Sequence, residues 1–428
     1  MQSVRYMTIA LAVALLATPA RAAAQVRAIS LDDALELALR ANPTMVQARS
    51  QLDVAHASRR EAWGGWLPDL SGSSSWSRNS SDRFDPTTQR TISAASTSYS
   101  AGLTASLELF DGFRRVAENR SATADVDAAE SGVLNQRFQV ILQTKQAFFN
   151  ALAADDLVRV AETQIQRATE QLKIARDKLA AGSATRSDTL RGRVELGNAE
   201  LAMLNAGTQR ATAEANLARL TGVDGILRAV GDSSLFEDVA LDTAELRQAA
   251  LVNSPTVGQA EADARAAQAA VGVSRAQYFP SITARYNTDW SGQELGDLGG
   301  SWGLRVSLSW PLFNGFTRES NLARSNANRQ AAYAQAEDAR RLVNAQLTQR
   351  LAELAAARQR LDIGRASLAA AREDLRVQQE RYRLGAATIL EVLTSQVTLT
   401  QAEVDIVEAR LDFLVAKAQI EALAGREL

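Results

Sequence analysis

The 428 residues carry 47 Lys and Arg against 49 Asp and Glu, with one His and no Cys. A near-neutral balance, about −4 once the leader's Arg5 and Arg21 are removed, leaves no electrostatic footprint for nucleic acid as a partner. Without cysteine there is no disulfide, no thiolate metal site and no acylated N-terminal cysteine. The Ala-, Gln-, Arg- and Leu-rich composition, only 5% aromatic, favours long helices over a globular α/β core.

The chain opens with Arg5, an apolar run from Met7 to Ala17, and Ala22-Ala23-Ala24, which reads as a signal peptide over residues 1–24. No stretch reaches the roughly 20 apolar residues of a spanning helix, so membrane insertion falls to strands. Residues 25–230 and 231–428 then read as a tandem repeat. Leu109-Phe110-Asp111-Gly112-Phe113 returns as Leu312-Phe313-Asn314-Gly315-Phe316, and Gly182 returns as Gly385, both at a shift of 203. Pro43 and Pro68 return as Pro255 and Pro280 at a shift of 212, so nine residues are lost between Pro280 and Phe313.

Each copy begins with a short helix, Leu31 to Ala41 or Asp242 to Val252, stopped by Asn42-Pro43 or Ser254-Pro255 because the residue before proline is pushed out of the α region. A second helix of about twenty residues ends at Trp66-Leu67-Pro68 or Tyr278-Phe279-Pro280. Beyond the prolines the period becomes alternating. Leu103, Ala105, Leu107 and Leu109 oppose Thr104, Ser106 and Glu108. Ile282, Ala284, Tyr286, Thr288 and Trp290 oppose Thr283, Arg285, Asn287 and Asp289. Trp302, Leu304, Val306, Leu308 and Trp310 oppose Gly303, Arg305, Ser307 and Ser309. A serine-rich fourth strand is expected near Leu70 to Arg78. Two β-hairpins result, about 68–111 and 280–314, closed by a polar loop near Asp82 to Thr91 and by the Gly-rich run Gly292 to Gly300.

Residues 113–181 and 316–384 contain no proline and predict helices of roughly 100 Å at 1.5 Å per residue, which must project from any globular body. Helices 185–220 and 388–423 follow. With the two short helices they nearly equal the long one in length, so shorter helices can stack end to end along it. Val158, Ile165, Leu172 and Leu179 recur every seven residues, as do Leu361, Leu368, Leu375 and Tyr382. Small residues lie three positions later at Ala161, Ala168, Ala175, Gly364 and Ala371, with Gln378 the exception, which describes a close-packed coiled-coil seam. Four strands fall short of the eight of the smallest membrane barrels, and an open sheet in lipid leaves unsatisfied edges. The chain must therefore oligomerise; two copies would give eight strands and three would give twelve. Trp76, Tyr286, Trp290, Trp302 and Trp310 fall where interfacial aromatic girdles sit.

The signal peptide, the repeat, the hairpins between helices, and the tips Ala180-Ala181-Gly182-Ser183-Ala184-Thr185 and Arg383-Leu384-Gly385-Ala386-Ala387-Thr388 together resemble the TolC-like outer-membrane efflux protein family over essentially the whole mature chain. The resemblance implies a mainly α homotrimer with a small β part: a twelve-stranded outer-membrane β-barrel in lipid, four strands per chain, continuous with a long α-helical coiled-coil barrel across the periplasm. It implies a periplasmic adaptor and an inner-membrane transporter as partners, and no cofactor. Adaptor docking is expected at Ala181, Gly182, Ser183, Leu384, Gly385 and Ala386. At the tunnel aperture Glu391 matches a first acidic ring, while Thr394 takes the second position without being acidic. Tyr382 and Asp188 match latch positions; Ala387 replaces the arginine that would join them, and Arg186 is a substitute. The alternative for Glu391 is a solvated residue after a turn.

Gly299-Gly300-Ser301-Trp302-Gly303 fits the G-x-S-x-G elbow but leads into a strand, and the single histidine, His56, lies upstream of it, so no enzyme is expected. His56 has no cluster of ligands around it. Asn79-Ser80-Ser81 reads as a strand end rather than a glycosylation site. The leading function is the outer-membrane exit duct of a tripartite efflux system for small molecules. The runner-up is the duct of a type I protein secretion system, and a periplasmic coiled coil without a pore is the third. The substrate and the transporter's energy source are not written in the chain.

Overall fold

The computed structural model describes residues 27–85, 87, 89–231 and 243–426. The expected signal peptide and the Asp242 helix start lie outside these residues. The elements run β1 (Arg27–Ile29), α1 (Leu31–Ala41), α2 (Pro43–Gly64), β2 (Asp69–Asp85), β3 (Arg90–Phe110), α3 (Arg114–Ala180), α4 (Arg186–Thr221), β4 (Leu227–Ala229), α5 (Thr243–Asn253), α6 (Pro255–Ala276), β5 (Ser281–Gly292), β6 (Gly299–Ser309), α7 (Thr317–Arg383) and α8 (Ile389–Ala424). Contacts group the chain into two units that each draw on both copies of the repeat. One takes the chain up to Leu37 with Ala147–Leu235 and Leu368–Val407, and the other takes Ala38–Gln146, Phe236–Ser367 and Glu408–Leu428.

The second unit holds an antiparallel sheet of order β2-β3-β5-β6. The β2–β3 hairpin keeps the expected limits, but its strands run farther than alternation alone predicts, pairing Asp69 with Ser106 through to Asp85 with Arg90. The turn expected near Asp82 to Thr91 is thus largely strand, because a continuous ladder satisfies the backbone of a serine-rich segment whose side chains contribute little. Leu70, Gly72, Ser74 and Trp76 lie opposite Ala105, Leu103, Ala101 and Tyr99 on one face. Leu103, Ala105 and Leu107 meet Thr288, Tyr286 and Ala284, which pair in turn with Trp302, Leu304 and Val306. This face leaves Leu70, Trp76, Leu103, Trp302, Leu304, Val306 and Leu308 exposed. The other face is polar and sets Arg285 directly opposite Arg305.

One register shift departs from the alternation. Between Glu108 and Phe110 a bulge skips Leu109, so Phe110 rather than Leu109 lies opposite Ile282 on the apolar face. Trp310 falls just past β6, where its Nε1 donates to Tyr278 O at 3.3 Å.

The helices of this unit follow the strand order. Gln136 of α3 donates to Thr44 of α2 (2.9 Å), Asn135 of α3 to Gln259 of α6 (2.7 Å), and Arg340 of α7 to Glu261 of α6 (2.7 Å), giving α2-α3-α6-α7. The repeated pentapeptide explains itself here. Gly112 and Phe113 both have φ of +67°, and Gly315 and Phe316 have +65° and +63°, a left-handed pair that glycine permits at its first position. Arg115 then donates to Asp111 Oδ2 through both its backbone N (2.8 Å) and Nε (2.9 Å), with its guanidinium 4.5 Å from the Trp66 ring centroid. In the second copy Asn314 replaces Asp111: Arg318 N still donates to Asn314 Oδ1 (3.5 Å), but its guanidinium donates to the carbonyls of Pro311 (2.6 Å) and Leu312 (3.0 Å) beside Tyr278. Farther along, Lys145 Nζ pairs with Glu421 at 2.6 Å, both nearly buried.

In the first unit the seven-residue seam is asymmetric. Gly192, Ala199 and Ala206 of α4 are all buried at the same spacing, and a Cβ added to Gly192 would meet Leu172 at 3.3 Å. Val158, Ala161 and Ala206 pack in one cluster. Large residues on α3 thus close on small ones of α4, as a tight seam requires. Leu179 departs from the pattern and is exposed at 37%. A three-residue parallel pair, β1 with β4, is absent from the sequence reading; Ile29 and Leu227 are buried there, but strands this short show no periodicity.

Candidate functional site

Both long helices end in the same hydrogen-bonded stop. At the first tip Gly182 N donates to Leu179 O (3.0 Å) and Ser183 N to Lys178 O (2.8 Å), with Gly182 at φ +73°. At the second, Gly385 N donates to Tyr382 O (3.1 Å) and Ala386 N to Arg381 O (2.8 Å), with Gly385 at φ +79°. These paired bonds form the Schellman motif, which satisfies the last carbonyls of a helix and demands a left-handed residue. Ala181, Gly182, Ser183, Leu384, Gly385 and Ala386 are all exposed, and a Cβ on either glycine would meet nothing within 4 Å.

The helices that follow start differently. Thr185 caps α4 in a complete capping box: Thr185 N donates to Asp188 Oδ2 at 2.8 Å, and Asp188 N donates to Thr185 Oγ1 at 3.3 Å. Thr388 caps α8 more loosely, accepting from Glu391 N at 3.4 Å. The Glu391 carboxylate accepts no hydrogen bond among the described residues and is exposed, as is Thr394 one turn on, whose Oγ1 donates to Leu390 O at 2.9 Å.

Tyr382 is the buried member of the set, packed with Ala175, Leu375, Ile389 and Val392. Its hydroxyl has no hydrogen-bond partner among the described residues. Burial first, and then the negative charge of Asp188, push its ionisation above the ordinary value near 10. Arg186 is exposed and makes no ion pair among the described residues. The cation beside Tyr382 is Lys178, which the sequence reading missed: its Nζ lies 4.2 Å from the ring centroid and donates to Tyr382 O. The signal available was the shift of 203, which aligns Lys178 with Arg381 in the last turn before each glycine. Deeper along the same helices Arg167 donates to both carboxylate oxygens of Glu403 (2.7 and 3.1 Å) and ties α3 to α8.

Among the described residues no group of three His, Cys, Asp or Glu could hold a metal ion, and no helix is long and apolar enough to cross a membrane. Ser301 of the elbow-like segment lies within β6.

The arrangement matches known proteins. The profile of the outer membrane efflux protein family matches residues 34–223 and 246–426. The outer membrane efflux protein BepC of Brucella suis is 22% identical over 401 residues, covering 93% of this chain and 85% of BepC. The cobalt-zinc-cadmium resistance protein CzcC of Cupriavidus metallidurans is 25% identical over 327 residues, 74% of each chain. The solved structure of CusC superposes with a TM-score of 0.81 at 20% identity over 92% of both chains, a likeness of fold. On the family match, which spans most of both repeats, the chain belongs to the outer membrane efflux protein family.

Proposed function

We propose that three copies of this chain form one exit duct of the outer membrane, a twelve-stranded barrel continued by a helical tunnel, through which small molecules leave the cell. The observation that carries this reading is the four-stranded sheet, which exposes an apolar face, turns a polar one the other way, and has two unpaired edges at β2 and β6. An apolar face of this kind belongs in lipid, where an open edge costs several kcal/mol per unsatisfied group. Edge β2 of one copy meeting edge β6 of the next removes every edge, and twelve strands lie in the range of membrane barrels.

The partners in this reading are a periplasmic adaptor, which docks on the tips at Ala181, Gly182, Ser183, Leu384, Gly385 and Ala386, and an inner-membrane transporter. Glu391 and Thr394 line the aperture, while Tyr382, Asp188, Lys178 and Arg186 set how tightly the helix pairs close it. No catalytic step and no cofactor enter. The test is the mass of the mature protein in detergent: a trimer of about 130 to 140 kDa, from a 46.0 kDa chain less its leader. A monodisperse monomer that conducts ions across a bilayer overturns it.

A further inference from the structure

Where α3 leaves the sheet, Gly112, Phe113, Val116, Ala117 and Arg120 line a cavity of about 430 Å³ together with residues of α6, Arg265 and Arg275 among them. Its floor is built by close approach: a Cβ on Gly112 would lie 2.5 Å from Phe279 Cβ, and one on Gly272 would lie 3.5 Å from Ala117 Cβ. The Phe113 ring meets Phe110 edge-on at 5.5 Å and Phe279 at 6.1 Å, and Phe110 is the residue that the bulge turns onto the apolar face of the sheet opposite Ile282. The apolar face therefore continues into the cavity. Phe113 and Phe279 are exposed, and Arg120, Arg265 and Arg275 are exposed with no hydrogen-bond or ion-pair partner among the described residues.

We propose that this cavity binds the headgroup of an anionic phospholipid in the periplasmic leaflet of the outer membrane, with the acyl chains running up the apolar face past Phe110. The proposal rests on the duct reading, which makes that face the lipid face. Three unpaired guanidinium groups around an aromatic floor suit a phosphodiester, since arginine offers forked donors to phosphate oxygens and stacks on apolar rings. Basic pockets between helices at a membrane surface take anionic headgroups for this reason. Helices α3 and α6 are the inner pair of the order α2-α3-α6-α7, so closing the barrel through its edges leaves the cavity uncovered. The site forms only where α3 of the first copy meets α6 of the second. The positions related to Arg265, Gln268, Arg275 and Arg120 hold Asp53, His56, Trp63 and Ala323, which reverses or removes the charge.

The test uses the mature protein in nanodiscs of phosphatidylethanolamine with phosphatidylglycerol, with retained lipid counted by native mass spectrometry after release into detergent. Wild type should retain up to three phosphatidylglycerol molecules per trimer. The R120Q/R265Q/R275Q variant should bind it weaker by about fivefold per arginine removed, from ~1 kcal/mol for each basic residue at an anionic surface. Arg372→Gln, on an exposed face of α7, should retain as much as wild type. Equal retention by wild type and the triple variant overturns the proposal, and so does displacement by millimolar inorganic phosphate, which would mark a free-anion site. Single-channel conductance of both proteins is recorded alongside: conducting channels with equal retention sink the lipid site alone, whereas wild type that never conducts sinks the duct reading and this site with it.

Discussion

The two helix-turn tips share a backbone and divide at the side chains. Gly182 and Gly385 take the same left-handed turn with the same pair of stop bonds. Yet Lys178 reaches across to the ring and carbonyl of Tyr382, while its counterpart Arg381 stays on its own tip, donating to Ala386 O at 3.2 Å and Gln378 at 3.1 Å. Asp188 is consumed by a capping box, while the carboxylate of Glu391 at the matching position accepts no hydrogen bond among the described residues. Duplication preserved what terminates a helix and released what decorates it. One tip came to anchor the pair and the other to present charge.

The largest effect should come from the part the tips share. Gly182→Trp with Gly385→Trp places side chains where φ is +73° and +79°, at about 1–2 kcal/mol each for an L-residue in this region. Open space around both positions means that the helices keep their packing. The double variant should still assemble as a trimer and lose export, read as susceptibility of the host strain to a transported compound. Wild-type resistance would remove the tips from docking.

The next effect separates the two cations. Lys178→Met forfeits a charge-assisted hydrogen bond and a cation–π contact, and should lower the local opening free energy of the first tip by about 1–2 kcal/mol. Arg381→Met loses only exposed contacts, worth about 0.5 kcal/mol or less. Hydrogen exchange of the tip amides measures both; equal losses would show that the crossing contact holds nothing together.

This asymmetry also marks how far the sequence could be read. Helix limits followed from proline and glycine, whose effects are local: Asn42-Pro43 stops α1 at Ala41 and starts α2 at Pro43. The alternating faces of β5 and β6 followed from period two. The extension of β2 and β3 was hidden because serine has little strand preference, so pairing rather than side chains sets their length. The bulge at Leu109 and the β1–β4 pair depend on partners 170 or more residues away, which no window sees. At the tips, family resemblance alone pointed to Tyr382 and Asp188, whereas nothing pointed to Lys178, whose contact with Tyr382 exists only once two helix ends lie side by side.

A smaller effect distinguishes the two acids. Glu391→Gln should leave stability unchanged, since its carboxylate makes no bond among the described residues. In the proposed trimer three copies around one axis would form a ring of negative potential, so cation over anion selectivity and block by multivalent cations should fall at low salt and converge with wild type at 1 M, where the screening length is about 3 Å. Asp188→Asn should do the reverse: its amide oxygen still accepts from Thr185 N, so it costs only about 0.5 kcal/mol, the lost charge at the start of α4, and leaves selectivity intact. Unchanged selectivity and block in Glu391→Gln would make that residue a solvated turn side chain.

The smallest effect, invisible at neutral pH, tests whether Tyr382 and Asp188 are coupled. Burial, and then the Asp188 charge, hold the Tyr382 phenol above its ordinary value near 10. Below that value the phenol is neutral whether the tip is packed or open, so pH has no hold on it. As pH rises past 10 the open form ionises first, and packing then requires it to take back a proton. The stability of the tip should therefore fall with pH from about 10 up to the raised value and level off above it. Tyr382→Phe deletes a hydroxyl that lacks a partner among the described residues, so it should cost little at pH 7 and abolish the alkaline loss. Asp188→Asn should reduce the loss only in part, because burial is the larger cause. Denaturation of the trimer in detergent followed between pH 8 and about 11 reads all three proteins. If Asp188→Asn leaves the alkaline loss at the wild-type value, the two residues are not coupled across the tips and Asp188 serves only as a cap.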